Sequence, residues 1–394
     1  MNEFEQRYYA DRRGSGAIKW DGLKFLFGSD DADMISMWVA DMDFHSPECV
    51  GEALKKLGES GEFGYYMPSP AYFQAFLDWE EKRHGYKVER EWMRTTPGVV
   101  AGIFHFVGAF TEPGDACIIL SPCYYPFMEA VEETGRRLVC SMLKNEGGLY
   151  SIDFADFERK ITENDVKVFI LCSPHNPVGR IWTREELTQL MDICRCHGVK
   201  VISDEIHQDL ELFGHKHVPT LASCDCADFT VSLTAASKTF NMASFNHSIA
   251  LIPNKELQEK YDAYLKHMHL SGAKPGFVAV QAAYEGGAAW LDQVIAQVEG
   301  NVRLLEGILR EGAPEVVISP LEGTYLQWID LGAYVKPGDL KALVQEKCKL
   351  AVDFGHQFFT PEMGKEDTHI RLNLATSEDN VRRAAERLVK ALNE

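Results

Sequence analysis

The sequence predicts an α/β protein: a mainly parallel central sheet covered by helices on both faces, followed by a smaller α+β unit. Three observations carry that expectation. From Thr95 onward, short apolar runs of strand length alternate with helical patterns, the arrangement of parallel strands joined by crossover helices. At 394 residues the chain is too long for one compact core, so two domains are expected. Finally, the residues able to do chemistry fall where the apolar runs stop, and in such sheets ligands sit at the carboxyl ends of the strands.

Taken in order, residues 1–30 are polar and broken by Gly14, Gly16, Gly22 and Gly28, so they read as an arm and a loop. Met34 to Phe44 is apolar and then abruptly acidic, which fits either a strand entering a turn or the wall of a substrate pocket. Helical spacing covers Pro47 to Leu57, with proline in the first turn, and again Pro70 to His84. Between them lies a glycine-rich aromatic loop, Gly61 to Pro68. Thr96 to Gly102 is a small-residue turn opening a helix that runs to about Phe110, and free amides at such an N-terminus can hold a phosphate. Strands are expected at Ala116 to Leu120, Leu138 to Met142, Val166 to Cys172, Val199 to Ser203, Thr230 to Thr234 and Ile249 to Ile252. Helices near 125–135, 153–161 and 184–197 intervene. After Glu256 the chain turns helical, including an amphipathic run from about Trp290 to Leu309. Strands near Glu315 to Ser319, Tyr325 to Asp330, Leu350 to Phe354 and His369 to Leu374 then precede a final helix. The expected division is an arm with part of the small domain over 1–46, a large domain over 47–289 and a small domain over 290–394.

Composition narrows the function classes. The hydrophobic content of 45% with 25% charged residues is that of an ordinary soluble globular protein. A formal charge of −19 argues against nucleic acid or an anionic membrane as partner. The start, Met1 to Glu5, is acidic and has no apolar segment of the signal-peptide kind, and no run approaches a membrane span. Ten cysteines show no small-domain framework, and several, such as Cys117, Cys140 and Cys172, fall inside apolar patterns. The pairs Cys194/Cys196 and Cys224/Cys226 lack a second cluster to complete a metal site. Structural thiols in a reducing cytoplasm, with no metal, are expected.

The chemistry centres on Ser232 to Asn241. A buried strand ends at Thr234, small residues follow, and Lys238 stands directly behind them. A lysine in such a pocket can lose its proton and form a Schiff base with a carbonyl, most usefully that of pyridoxal phosphate (PLP). Lys238 alone would pass for a surface lysine. Its company argues otherwise: Tyr124, Asn176 and Asp204 also lie at strand ends. Buried at a strand end, Asp204 needs a cationic partner, and a protonated pyridine nitrogen is one; a helix N-cap is the rival role. His207, three residues on, faces the same side on a helical turn and can reach the cofactor's phenolic oxygen, as can Asn176. Tyr124 can lay its ring on a flat heterocycle or pack as an ordinary buried aromatic. Arg371, inside the apolar run His369 to Leu374, calls for a carboxylate, either from a substrate or from a structural ion pair.

Together, Asn176-Pro177, Asp204 to His207, Ser237 to Asn241 and Arg371 resemble the fold-type-I PLP enzymes of the class I/II aminotransferase superfamily. Met37 to Phe44 and Gly64-Tyr65 add a resemblance to its MalY/PatB branch of cystathionine β-lyases, the C–S lyases. The resemblance covers essentially the whole chain. It implies the aspartate aminotransferase-like fold of PLP-dependent transferases, with Lys238 bonded to PLP, Asp204 on the pyridine nitrogen and Tyr124 stacked on the ring. Asn176 and His207 would contact the phenolic oxygen. The amides of Val99 and Val100, with Ser237, would take the phosphate. Arg371, helped by the backbone near Ala40, would hold the substrate carboxylate. Tyr65 would reach the cofactor phosphate and substrate of a neighbouring subunit, which implies a homodimer with shared active sites.

Departures from the superfamily cluster after the lysine. Where its members carry Gly-x-Arg, with the arginine gripping the phosphate, this chain has Ser244-Phe245-Asn246, and Ala235 stands where Ser or Thr is usual. The lyase branch shares the lack of arginine. The resemblance therefore implies a β-lyase cleaving L-cystathionine or related cysteine S-conjugates to a thiol, pyruvate and ammonia, with a class I/II aminotransferase as the alternative.

Overall fold

Seven apolar segments pair into one sheet in the computed structural model, which describes residues 2–268 and 272–394. They are β1 (Met93–Thr96), β2 (Ala116–Ser121), β3 (Arg137–Met142), β4 (Val166–Cys172), β5 (Lys200–Asp204), β6 (Thr230–Thr234) and β7 (Ser248–Leu251). Their order across the sheet is β1-β7-β6-β5-β4-β2-β3. Only β7 runs against its neighbours; the other pairings are parallel. The strands are apolar on both faces because both faces are covered. Along β2, Ala116, Ile118 and Leu120 join one core with Phe76 and Trp182, while Cys117 and Ile119 join a second with Phe106 and Tyr261. The side-chain period of two thus feeds both cores.

The helices begin and end where their sequences say they should. Pro70–His84 starts on Ser69, whose side chain accepts from the Tyr72 amide, and stops at Gly85 in the left-handed region. Arg184–Cys196 carries a full capping box between Thr183 and Glu186. Gly102, inside the helix Val99–Phe110, lets that helix press on the sheet: a Cβ there would meet Leu233 at 2.9 Å.

A second, four-stranded sheet comprises β8 (Val317–Ile318), β9 (Leu326–Asp330), β10 (Asp353–Phe354) and β11 (His369–Asn373), in the order β8-β9-β11-β10, all antiparallel. The long helix Ala288–Gly312 and the terminal helix Glu378–Leu392 pack on each other. Two expectations change here. The run Leu350 to Phe354 is not one strand: Leu350–Ala351 pairs with Ile35–Ser36, and after Val352 the chain joins β11 instead. The apolar stretch from Met34 keeps strand geometry only at Ile35–Ser36, because side chains then capture the backbone that a ladder would have used.

Candidate active site

The carboxyl ends of β2, β4, β5 and β6 open into one cavity, with the Trp38–Ala40 loop and Arg371 of β11 on its other side. Lys238, Tyr124, Asp204, Asn176, His207, Val99, Val100, Ser237, Ala40 and Arg371 all line it. Of the sequence-derived candidates, Tyr65 alone does not. It is fully exposed on its loop and far from contributing to its own chain's cavity.

Lys238 sits in the single turn Ala236–Thr239 behind β6, and Thr239 Oγ1 donates to the buried Asp209 Oδ2 at 2.7 Å, tying that turn to the segment after β5. The lysine's Nζ donates to the Ala40 carbonyl at 2.6 Å. Burial lowers its pKa to about 8; Asp41 and Asp204 oppose that shift and Arg371 adds to it. A lysine so placed releases its proton far more readily than one in water.

Asp204 closes β5, in register with Cys172 and Leu233 on the flanking strands. Its Oδ1 accepts from the Ile206 amide at 3.0 Å. Burial pushes its carboxyl up to about 7, the Glu205 charge adds to that, and Lys238 opposes it. Glu205 is a different case: His217 and Ser232 satisfy it at 2.9 Å each, so its role is structural. His207 is buried, with Nδ1 unpartnered, and burial, assisted by Lys238 and Arg371, lowers its pKa to about 3. It is a neutral imidazole whose free nitrogen needs a partner. Tyr124 stands beside Tyr125 with ring centroids 5.0 Å apart, and burial raises its phenol, so it stays protonated at neutral pH.

Gly98 opens the helix Val99–Phe110 with φ of 103°, which a side chain would resist, and the first residues of that helix, Val99 and Val100, line the cavity. Ser237, Asn246 and His247 line the same cavity, with His247 held by the Tyr72 hydroxyl at 2.7 Å. Among the lining residues described, Lys238 and Arg371 are the lysines and arginines, so no arginine replaces the one missing at Asn246.

Arg371 lies directly across from Asp353 in the β10–β11 register. Its Nη2 meets the Asp353 carboxylate and lies 3.4 Å from the Trp38 carbonyl, and Nη1 donates to Asn176 Oδ1 at 2.8 Å. That contact leaves the Asn176 amide nitrogen as the donor end for a ligand. The guanidinium stacks over Phe358 at 4.8 Å, and its buried Nε has no partner. Of the two carboxylates the sequence left open for Arg371, the structure shows the ion-pair partner, Asp353, and Arg371 also lines the cavity.

Sequence reading missed Asp353 and His247 as lining residues. For Asp353 a signal existed, an acid inside an apolar run like the arginine it faces. The 34–44 stretch proves to be a pocket wall entered by a two-residue strand.

A donor set of this kind suits a flat, anionic, nitrogen-containing cofactor. It offers a carboxylate short of a cation, an unpartnered imidazole nitrogen, helix amides and a lysine poised to lose its proton. The family model of class I and II aminotransferases matches residues 32–388. The chain belongs to that family. It is 41% identical to cystathionine β-lyase PatB of Bacillus subtilis over 376 residues, 95% of this chain and 97% of that one. Among solved structures, cystalysin of Treponema denticola, which contains pyridoxal 5′-phosphate, superposes with a TM-score of 0.92 at 32% identity, covering 97% of each chain. The PLP-bound C–S lyase of Staphylococcus hominis gives a TM-score of 0.92 at 32% identity, covering 100% of this chain and 99% of that one. The fold is therefore the aminotransferase-like one expected.

Proposed function

We propose that this protein is a PLP-dependent carbon–sulfur β-lyase that acts on L-cystathionine or related cysteine S-conjugates. The observation that carries the reading is that Lys238 and Asp204 line one cavity, an amine made acidic by burial with a buried carboxylate whose charge it feels. Relatives named as C–S lyases, and Asn246 where aminotransferases of the superfamily carry arginine, favour the lyase over the aminotransferase.

When bound, PLP supplies a carbonyl for amines and a ring that draws electrons from the substrate's Cα. Asp204 would hold the pyridine nitrogen protonated, while Asn176 and His207 would contact the phenolic oxygen and Tyr124 would cover the ring. Val99, Val100 and Ser237 would take the phosphate. Arg371 and the backbone at Ala40 would fix the substrate carboxylate, which sets Cα beside Lys238. The lysine amine then removes the Cα proton, the Cβ–S bond breaks, and the thiolate departs with the bonding pair. Water converts the released aminoacrylate to pyruvate and ammonia.

We further assign the protein to the cytoplasm as a homodimer, Tyr65 serving the neighbour's site. Residues 47–289 would be the cofactor-binding domain and 290–394 the small one, with 1–46 forming an arm and part of the small domain. The deciding assay supplies L-cystathionine and measures pyruvate and free thiol. Amino transfer to a 2-oxo acid with no thiol released would replace the lyase by an aminotransferase.

A further inference from the structure

Two acidic residues line the cavity, Asp204 and Asp353. The first has its task at the ring; the second has none in the reaction above. Asp353 is 6% exposed and is fixed opposite Arg371 by strand register. It also lines a second cavity beside the first, and the two share Trp38, Tyr125 and Asp353. Those three residues stand on the boundary between the two cavities. The second cavity is walled by Phe27, Val352 and Phe354, with Glu129, Lys341 and His356 exposed at its edge.

We propose that Asp353 selects cysteine S-conjugates whose sulfur arm carries an ammonium group, the arm crossing into this second cavity. The inference deepens the lyase reading and rests on it. Its basis is a charge count. Before substrate arrives, Arg371 and Asp353 neutralise each other. The substrate's carboxylate then joins the same guanidinium, whose N–H groups outnumber the contacts it makes to Asn176, Trp38 and Asp353. Two anions now share one cation in a buried place, and an unpaired buried charge is costly. An ammonium on the arm, passing Asp353, gives that carboxylate a counter-charge. An arm without one leaves the excess uncompensated, so such substrates are disfavoured by repulsion as well as by a missing contact.

The test uses substrate pairs that differ only in that ammonium, with pyruvate release as readout. L-cystathionine is set against S-(3-carboxypropyl)-L-cysteine, which is the same molecule without the distal amino group. S-(2-aminoethyl)-L-cysteine is set against S-propyl-L-cysteine. In the native enzyme, kcat/KM is expected to favour the amino arm roughly tenfold or more in both pairs, the scale of a hydrogen bond between charged groups. Asp353→Asn should bring both ratios toward one, partly by improving turnover of the uncharged arms as Arg371 is freed. A native enzyme indifferent to the ammonium overturns the proposal, whether or not the variant folds. So does a folded, PLP-loaded Asp353→Asn enzyme that keeps the native ratios. If none of the four compounds yields pyruvate, the lyase reading itself fails and takes this inference with it.

Discussion

The two ends of the cavity differ in how completely the protein satisfies them by itself. At the sheet end, among the described residues, Asp204 has a backbone amide and no ion-pair partner, and the buried His207 Nδ1 has no hydrogen-bond partner. At the opposite end every carbonyl from Trp38 to Phe44 is taken. Arg371 holds Trp38, Asn373 holds Val39, and Lys238 holds Ala40. Lys19 and Asn373 share Asp41, Arg12 and Asn241 share Met42, the Ala10 amide takes Asp43, and Asn241 takes Phe44. The lesson is a division of labour. One end is shaped for a resident group and is incomplete without it; the other is rigid already, so a passing substrate must share donors in place.

The sharpest way to break that picture is at the residue belonging to both ends. Lys238→Ala removes the amine that would bind PLP and move the Cα proton, and turnover should fall more than about a thousandfold. Borohydride should trap PLP on a peptide containing Lys238; a trapped peptide from elsewhere sinks the assignment. The lysine's pKa of about 8 adds a pH test. The neutral amine is the nucleophile, so capture of PLP by the apoprotein should quicken as pH rises and level off near 8. Capture still climbing steeply at pH 10 would mean a lysine unaffected by burial.

The rigid end can be loosened from a distance. Lys19 and Asp43 form an ion pair at 2.8 Å with both side chains wholly buried, and Trp20 Nε1 donates to the other carboxylate oxygen at 2.8 Å. Lys19→Met leaves Asp43 buried without its cation and should cost about 3–5 kcal/mol of stability, read from the shift in a chemical unfolding midpoint. A loss below about 1 kcal/mol would show that the arm does not hold this loop.

The sequence made the incomplete end far more visible than the rigid one. Strands such as Val166–Cys172 and Thr230–Thr234 are rich in β-branched residues and almost wholly buried, so their ends were legible, and Asn176, Asp204 and Lys238 followed from those ends. The 34–44 stretch has no periodicity to read, because its backbone is satisfied by side chains from residues as remote as Asn373. Asp353 stood out locally as an acid in an apolar run, but its partner did not, because it lies in register with Arg371 on a strand remote in sequence. Its strand was also drawn through Val352, where the chain in fact changes sheets. Tyr65 came from family resemblance alone.

At the incomplete end, Asp204→Asn keeps shape and removes charge. If Asp204 supplies the anion that keeps the pyridine protonated, kcat should drop tenfold or more, about 1.4 kcal/mol of barrier, with the fold intact by circular dichroism. The apoprotein gives an independent reading. Burial raises this carboxyl to about 7, so the folded state holds a proton that the unfolded chain releases near its ordinary 3.8. Asp204 therefore makes the apoprotein less stable as pH rises from about 4 to about 7. The asparagine variant should lack that component, and loading with PLP should abolish it in the native chain. Equal pH slopes for the native and variant apoproteins would contradict an Asp204 short of a cation.

The smallest expected effect asks whether the incomplete end is completed by a second subunit. Tyr65 is exposed on the Gly61–Pro68 loop with Phe63 and Met67, also exposed, beside it. If its hydroxyl reaches the partner's phosphate, Tyr65→Phe removes one hydrogen bond to a charged group, about 1.5–3 kcal/mol. PLP affinity should fall roughly tenfold or more while the dimer persists. Mixing Tyr65→Phe with Lys238→Ala subunits at limiting PLP separates this from a role within one chain. In each mixed dimer one site would carry both defects. The other would pair a native Lys238 with a native Tyr65 from across the interface, and activity should return above that of either parent. Subunits that demonstrably exchange without such a gain would place Tyr65 outside the partner's site, leaving the phosphate to the Val99 and Val100 amides, Ser237 and their neighbours in one chain.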